Sequence, residues 1–204
     1  MKIDAIPQKL GHFVIDSFDK SIMGIRLPGK IIKITEKSIY NLMGIPNSGI
    51  DLGGIVPTKE LPIVLFAWKD MYGTDYISPF EIVTRIIKDS GDESFFFQVD
   101  FLVLFMATMV ECYSHGKCKL NVLHYLHGET DLSKFNWCAY VLSHIRNCKN
   151  RWISNTKSPF LGPLTILMLL YVDFVQCNGM NVDRSVSPLE FWDVDLLQEK
   201  EARR

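Results

Sequence analysis

The run from Phe95 to Tyr113 reads FFFQVDFLVLFMATMVECY and is apolar nearly all round. A helix of that kind has no wettable face, so it needs cover from other elements or from lipid. Its unbroken apolar part, Phe101 to Val110, is ten residues long, with Asp100 before it and Glu111 after it. A second apolar run, Phe160 to Val172, is thirteen residues long and holds Gly162 and Pro163. A bilayer span takes about 20 apolar residues. Both runs therefore predict buried helices and no membrane partner, and the covering elements must come from the rest of the chain. The chain can supply them. It has 204 residues, 48% hydrophobic and 22% charged, near the values of ordinary globular domains. Those values exclude a disordered tail, a collagen-like chain and a disulfide-dense mini-protein.

Most of the remaining chain also carries helical signals. Leu10, Phe13, Val14 and Phe18 sit at helical spacing after Pro7. Between Ile22 and Ile34 two short alternating runs flank Leu27-Pro28-Gly29-Lys30, which predicts a hairpin and the only sheet. Thr35 is placed to cap a helix through Met43, and Gly44 to end it in the left-handed conformation. Ile45 to Pro57 is rich in Gly and Pro and reads as a loop. Leu65, Trp68 and Met71 mark one face of a helix over Leu61 to Met71. Ser78-Pro79-Phe80-Glu81 is a capping box with proline at the first helical position, opening a helix to about Lys88. Asp92 or Ser94 starts the apolar helix, whose composition predicts a central place. A short helix follows over Asn121 to Leu126. Asp131 caps a longer one from Leu132 to about Ile153, and Ser158 or Pro159 begins the last, to about Gln176. Residues 187–204 turn charged and show no distinct core pattern, which predicts a tail or the cut edge of a longer protein. The expected architecture is mainly α: a single helical domain over 1–186 with a small N-terminal β-hairpin.

Chemistry is harder to find. Lysines and arginines number 22 and aspartates and glutamates 23, so no global charge draws nucleic acid or anionic lipid. Basic residues gather locally at Arg146, Lys149 and Arg151 and at Lys117 and Lys119. The five cysteines, Cys112, Cys118, Cys138, Cys148 and Cys177, are odd in number and irregular in spacing, and read as reduced intracellular thiols. Cys112, Cys118, His124 and His127 cluster, but their five-residue and two-residue gaps miss the spacings of zinc sites. Cys138 and His144 are six apart on one helix and face different ways, which builds no thiol dyad. Gly44 to Gly49 has the four-residue gap of a phosphate loop, yet Ile50 and Asp51 stand where Lys and Ser/Thr are required. The alternating Asp193 and Asp195, and Asp16 with Asp19, read as caps and solvated groups. No catalytic, metal or cofactor residue is assigned.

Five stretches, in order, resemble the helical region of transposon-derived plant proteins. These are the aminotransferase-like plant mobile domain proteins, or the region preceding a SUMO-protease-like cysteine peptidase domain. The stretches are Pro7-Gln8-Lys9-Leu10 through Phe18-Asp19; Ile34-Thr35-Glu36 through Gly44-Ile45-Pro46-Asn47-Ser48-Gly49; Phe101 to Glu111; Asn136-Trp137 with Val141-Leu142; and Leu161-Gly162 through Tyr171-Val172-Asp173. The chain departs from that pattern at Cys112-Tyr113-Ser114 and at Gly162-Pro163. The resemblance implies a nuclear protein linked to mobile elements or silencing. It carries no catalytic residues into this chain, and a pyridoxal enzyme's lysine and phosphate partners have no counterpart here. The expected function is a non-enzymatic interaction domain with a protein partner. Two alternatives stand beside it: an accessory region of a cysteine peptidase whose catalytic domain lies outside this chain, and a nucleic-acid binder. The candidate binding residues are Gly44, Pro46, Asn47 and Gly49 in the loop, Asn136 and Trp137, and the basic Arg146, Lys149 and Arg151.

Overall fold

Pro7 has no N–H to lose, and its carbonyl accepts the first helical bond from Gly11 at 2.9 Å. Helix α1, Gln8–Ser17, follows from it and buries Leu10 and Val14. The structure is a computed structural model. It describes the chain apart from residues 1, 2, 4, 92, 113–115, 128–129, 153–159 and 177–178, and the side chains of 150 and 151. Strand β1, Phe18–Asp19, continues directly from α1. It pairs with β2, Gly24–Leu27, which pairs with β3, Lys30–Lys33, through the Pro28-Gly29 turn. The predicted hairpin is thus present and gains a third antiparallel strand, in the order β1-β2-β3. Asp19 locks the added strand: its carboxylate accepts from Ser21 and from both Nε and Nη2 of Arg26.

Helix α2, Glu36–Met43, has the predicted ends. Thr35 and Ser38 form a reciprocal capping box, and Gly44 closes the helix at φ 70°. Helix α3, Ile63–Asp70, buries Leu65 and Trp68, while Met71 faces outward. Helix α4, Pro79–Lys88, opens on the Ser78–Glu81 capping box and buries Ile82. Ser94, rather than the undescribed Asp92, caps α5, Phe95–Phe105, which runs into a π-helical turn, Met106–Val110.

The expectation that α5 is central is corrected. Its composition offers no periodicity to choose a face, and the choice falls to its one charge. Asp100 turns inward, 1% exposed, because Trp68 Nε1 and Tyr72 OH donate to it at 2.7 and 2.6 Å and Arg85 Nε lies 3.3 Å away. The neighbouring Phe101 consequently points out. The central helix is instead α7, Leu164–Phe174, with every residue from Ile166 to Val172 buried. It starts after Pro163; Ser158 and Pro159 lie outside the described residues.

The long helix from Leu132 is also corrected. Asp131 caps only a 3-10 turn, Leu132–Lys134. Phe135 then extends to pair with Ile50, and Asn136 caps a new helix, α6, Trp137–Arg151. Residues Asn121–Tyr125 form a 3-10 helix.

The last residues do carry a core pattern. Helices α8, Pro188–Phe191, and α9, Val194–Ala202, bring Trp192 and Leu197 into the main core. The charged residues around them, Asp193, Asp195, Glu199 and Lys200, hid these two apolar residues. The buried Lys200 ammonium donates to the Val175 carbonyl at the end of α7, where a cation meets the negative end of the helix dipole. The Glu201 carboxylate accepts from the Leu10 N–H of α1.

Two outcomes follow from this packing. Trp192→Ala should lower the unfolding free energy by about 3–5 kcal/mol in urea titration, as expected for emptying a fully buried aromatic site. Hydrogen bonds from Ser78 hold the Glu81 carboxyl below its ordinary value. Its stabilisation is therefore present above the unfolded carboxylate range and lost as pH falls through the lowered folded value. Glu81→Gln should flatten that part of the acid-unfolding curve.

Candidate interaction surface

The loop after α2 and the start of α6 are far apart in sequence but form one joint. Ile50 N–H donates to the Lys134 carbonyl at 2.8 Å, and Asn136 N–H donates to the Ile50 carbonyl at 2.9 Å. The Pro46 carbonyl accepts from Cys138 N–H at 3.0 Å, and the Cys138 thiol contacts the Ile45 carbonyl. Asn136 serves both sides: its Oδ1 caps Ala139 and its Nδ2 donates to Glu36 Oε2 at 2.9 Å. Trp137 is buried and donates to the Leu132 carbonyl at 2.7 Å. Gly49 holds the closest approach. Its φ is 105°, and a Cβ there would sit 2.2 Å from the Lys134 carbonyl oxygen. Pro46, Gly49, Asn136 and Trp137 thus each have a task in or beside the joint; Gly44 is exposed and ends α2, and Asn47 is half-buried.

Arg146 is exposed on α6. Lys149 donates to the Ile15 carbonyl, and its ammonium lies 4.6 Å from the Trp152 ring centroid. Burial pushes its pKa below the ordinary lysine value. The Arg151 side chain lies outside the described residues. The thiols are similarly engaged by the fold. Burial pushes Cys118 and Cys138 up to about 11, which keeps both as thiols at neutral pH. His124 Nδ1 lies 2.8 Å from the Thr58 carbonyl. Among the described residues no group of three or more His, Cys, Asp or Glu side chains is placed to hold a metal. Nor is any helix among them long and apolar enough to cross a membrane.

The larger apolar exposure lies elsewhere, on α3, α4 and α5. On α4, Phe80, Val83 and Ile87 recur at helical spacing on the face opposite Ile82, and Phe80 and Ile87 are 79% and 68% exposed. On α3, Ile63 and Phe66 face outward opposite Leu65 and Trp68, at 90% and 60%. Phe101 adds to this on α5, its ring 5.3 Å from that of Phe97. The three helices are tied at a fixed geometry beneath. Asp100 holds α5 to Trp68 and Tyr72, and Arg85 of α4 stacks over Tyr72 at 5.3 Å while reaching Asp100. This surface was missed from the sequence, although a signal was there. PFEIVTRIIK places apolar residues on two sides of one helix, and one helix can bury only one side against the core.

A protein-family model described as Domain of unknown function (DUF8566) matches residues 1–168. The chain belongs to that family. No curated protein and no solved structure matches it. The DUF8566 match takes in the sheet, both sides of the Ile50–Phe135 joint and the whole of α3 to α5, and reaches into α7. The joint gives this DUF8566 member a direct test. Gly49→Ala should destabilise it by about 2 kcal/mol or more, because both the positive φ and the Lys134 carbonyl oppose a side chain. Thermal unfolding would show the loss, and faster amide exchange at Ile50 and Asn136 would locate it.

Proposed function

We propose that this chain is a non-catalytic interaction domain whose protein partner docks on the outward apolar face of α3 to α5. The observation that carries this reading is the α4 stripe of Phe80, Val83 and Ile87, exposed on a helix whose other side is already buried. Monomeric domains rarely leave large apolar residues grouped in this way unless something covers them. The stripe also stands on a rigid base, since Arg85 on its inner side is tied to Asp100 and Tyr72. A preorganised face loses less entropy on binding.

The likeness to transposon-derived plant proteins supports a nuclear setting linked to mobile elements or silencing. The nucleic-acid alternative draws less support, because Lys149 is already spent on Ile15 and Trp152. The accessory role beside a cysteine peptidase is compatible with the same docking face.

The test is a double variant, Phe80→Asp with Ile87→Lys. The acid then lies near the start of α4 and the base near its end, where the helix dipole favours each, so the fold should survive by circular dichroism. Protein captured from nuclear extract by the wild type, identified by mass spectrometry, should fall about tenfold or more on the variant, as expected for hot-spot residues. Equal capture would sink the docking face. Salt-sensitive binding to duplex DNA that the variant retains would favour the nucleic-acid alternative instead.

A further inference from the structure

Ile34 N–H donates to the Met23 carbonyl at 2.8 Å. Bonding residues alternate along an antiparallel ladder, so Lys30, Ile32 and Ile34 aim their backbone groups at β2, and Ile31 and Lys33 aim theirs the other way. β3 is the last strand of the sheet. Among the described residues no hydrogen bond reaches the outward N–H or C=O of Ile31 or Lys33. Such a row is a template for another strand. A hollow of about 240 Å³ adjoins the same strand, walled by Ile32 of β3, Leu42 of α2, Leu170 and Phe174 of α7 and Pro188 of α8. Small-molecule sites span about 300–1,000 Å³, and this smaller space suits one bulky apolar side chain. Asp173 also borders it, with its carboxylate held by Arg184 at 2.5 Å. Ile31 and Phe174, 43% and 58% exposed, leave apolar surface beside the edge.

We propose that the free edge of β3 is a second docking site, which takes an extended, acid-bearing peptide segment of another protein as an added antiparallel strand, with one bulky apolar side chain in this hollow. The backbone groups of Ile31 and Lys33 would then be satisfied by the peptide's own, which is how strand addition gains affinity, and the hollow would supply specificity. The peptide residue opposite Ile32 points to the same face as Ile32, and so toward the hollow. Acidic neighbours follow from the two lysines of the strand. Both are exposed, and among the described residues neither is in an ion pair. Lys30 Nζ lies 5.7 Å from the Phe174 ring centroid, and Lys33 Nζ donates to the Ile22 carbonyl at 3.1 Å. Opposite charges across a strand pair stabilise it. A second copy of the chain fits less well. Pairing β3 with itself so that Ile31 meets Lys33 sets Ile32 opposite its own copy. That side chain is already buried in its own core at 3% exposure, so it cannot fill the hollow. A free extended segment can.

The experiment titrates the full chain, isotopically labelled, with the blocked peptide acetyl-Thr-Val-Glu-Leu-Val-Glu-Thr-amide. Laid antiparallel to β3, it sets Leu opposite Ile32 and a Glu opposite each lysine. The proposal expects saturable amide shifts at residues 30–34 and slowed amide exchange at Ile31 and Lys33. Methylating the peptide nitrogens of the Glu and Val beside Leu removes the donors that face β3, and should weaken binding at least about fivefold. Replacing that Leu by Gly should weaken it as much, since the hollow stays empty. Lys33→Glu should cost about threefold, the scale of exposed charge pairs. Ile31→Pro removes an outward donor and leaves the bonds to β2, as proline on an edge strand can, so it should fold as the wild type does and bind more weakly. No saturable shift at millimolar peptide, or equal binding of the methylated peptide, would overturn the proposal. Concentration-dependent shifts at residues 30–34 without peptide would overturn it too, and would assign the edge to a second copy. The α4 double variant should bind the peptide as the wild type does, so this edge and the α3 to α5 face can each fail alone.

Discussion

A carboxylate that is almost wholly buried must be satisfied before its surroundings can pack, and Asp100 sets that condition here. Burial pushes its pKa above the ordinary value, while Tyr72, Trp68 and Arg85 pull the other way by favouring the charged form. Its partners come from outside α5: Trp68 of α3, Tyr72 just past the end of α3, and Arg85 of α4. The orientation of α5 therefore cannot change without leaving an indole N–H and a phenol unpaired and costing Arg85 its buried acid. Breaking a buried charge pair of this type costs about 3–5 kcal/mol. Apolar packing alone would allow α5 to rotate, since nearly every side of it is hydrophobic. The polar anchor removes that freedom, and it determines that Phe101 faces solvent.

A second constraint acts at long range in sequence. The backbone of Ile50 exchanges hydrogen bonds with Lys134 and Asn136, and Asn136 also reaches Glu36 at the start of α2. One short extended contact, with Asn136 reaching Glu36, thereby fixes the middle of the glycine-rich loop, the start of α6 and the start of α2 relative to one another. Lys200 does the same at the other end, satisfying the last carbonyl of α7 from α9. These contacts are polar, few and buried or half-buried. Around them the apolar core can fill without having to specify the arrangement by itself.

The parts legible in the sequence are those decided locally. Thr35 with Ser38, Ser78 with Glu81, Gly44, and the Pro28-Gly29 turn each act within a few residues, and each is found where its chemistry places it. The parts that were not legible depend on partners far along the chain. Phe135 extends because Ile50 pairs with it, and nothing between Leu132 and Trp137 announces that pairing. Trp192 and Leu197 lie in a charge-rich stretch, and only tertiary packing, with α8 against α7 and α2, brings them into the core. The same distinction holds for the candidate site. Pro46 and Gly49 lie in one piece of the sequence and Asn136 and Trp137 in another, and the structure joins the two pieces as a joint in the scaffold, while Gly44 ends α2. The α4 stripe escaped notice because apolar residues were read as core, and a sequence does not say which of two apolar faces is left over.

Scaffold and surface are linked by this division of labour. A docking face made of Phe80, Val83 and Ile87 would be a liability on a helix free to roll, since the apolar side could turn inward and expose Ile82 instead. Arg85 prevents the exchange. It lies two residues beyond Val83 and two before Ile87, on the inner side, and its guanidinium is held by Asp100 and the Tyr72 ring. Rolling α4 would draw that guanidinium out of its pairing and leave the Asp100 carboxylate with less charge to balance it. A single buried acid on α5 thus decides which of two nearly equivalent hydrophobic faces of α4 meets solvent. That choice is what turns surplus hydrophobicity into a surface of fixed shape, available to a partner.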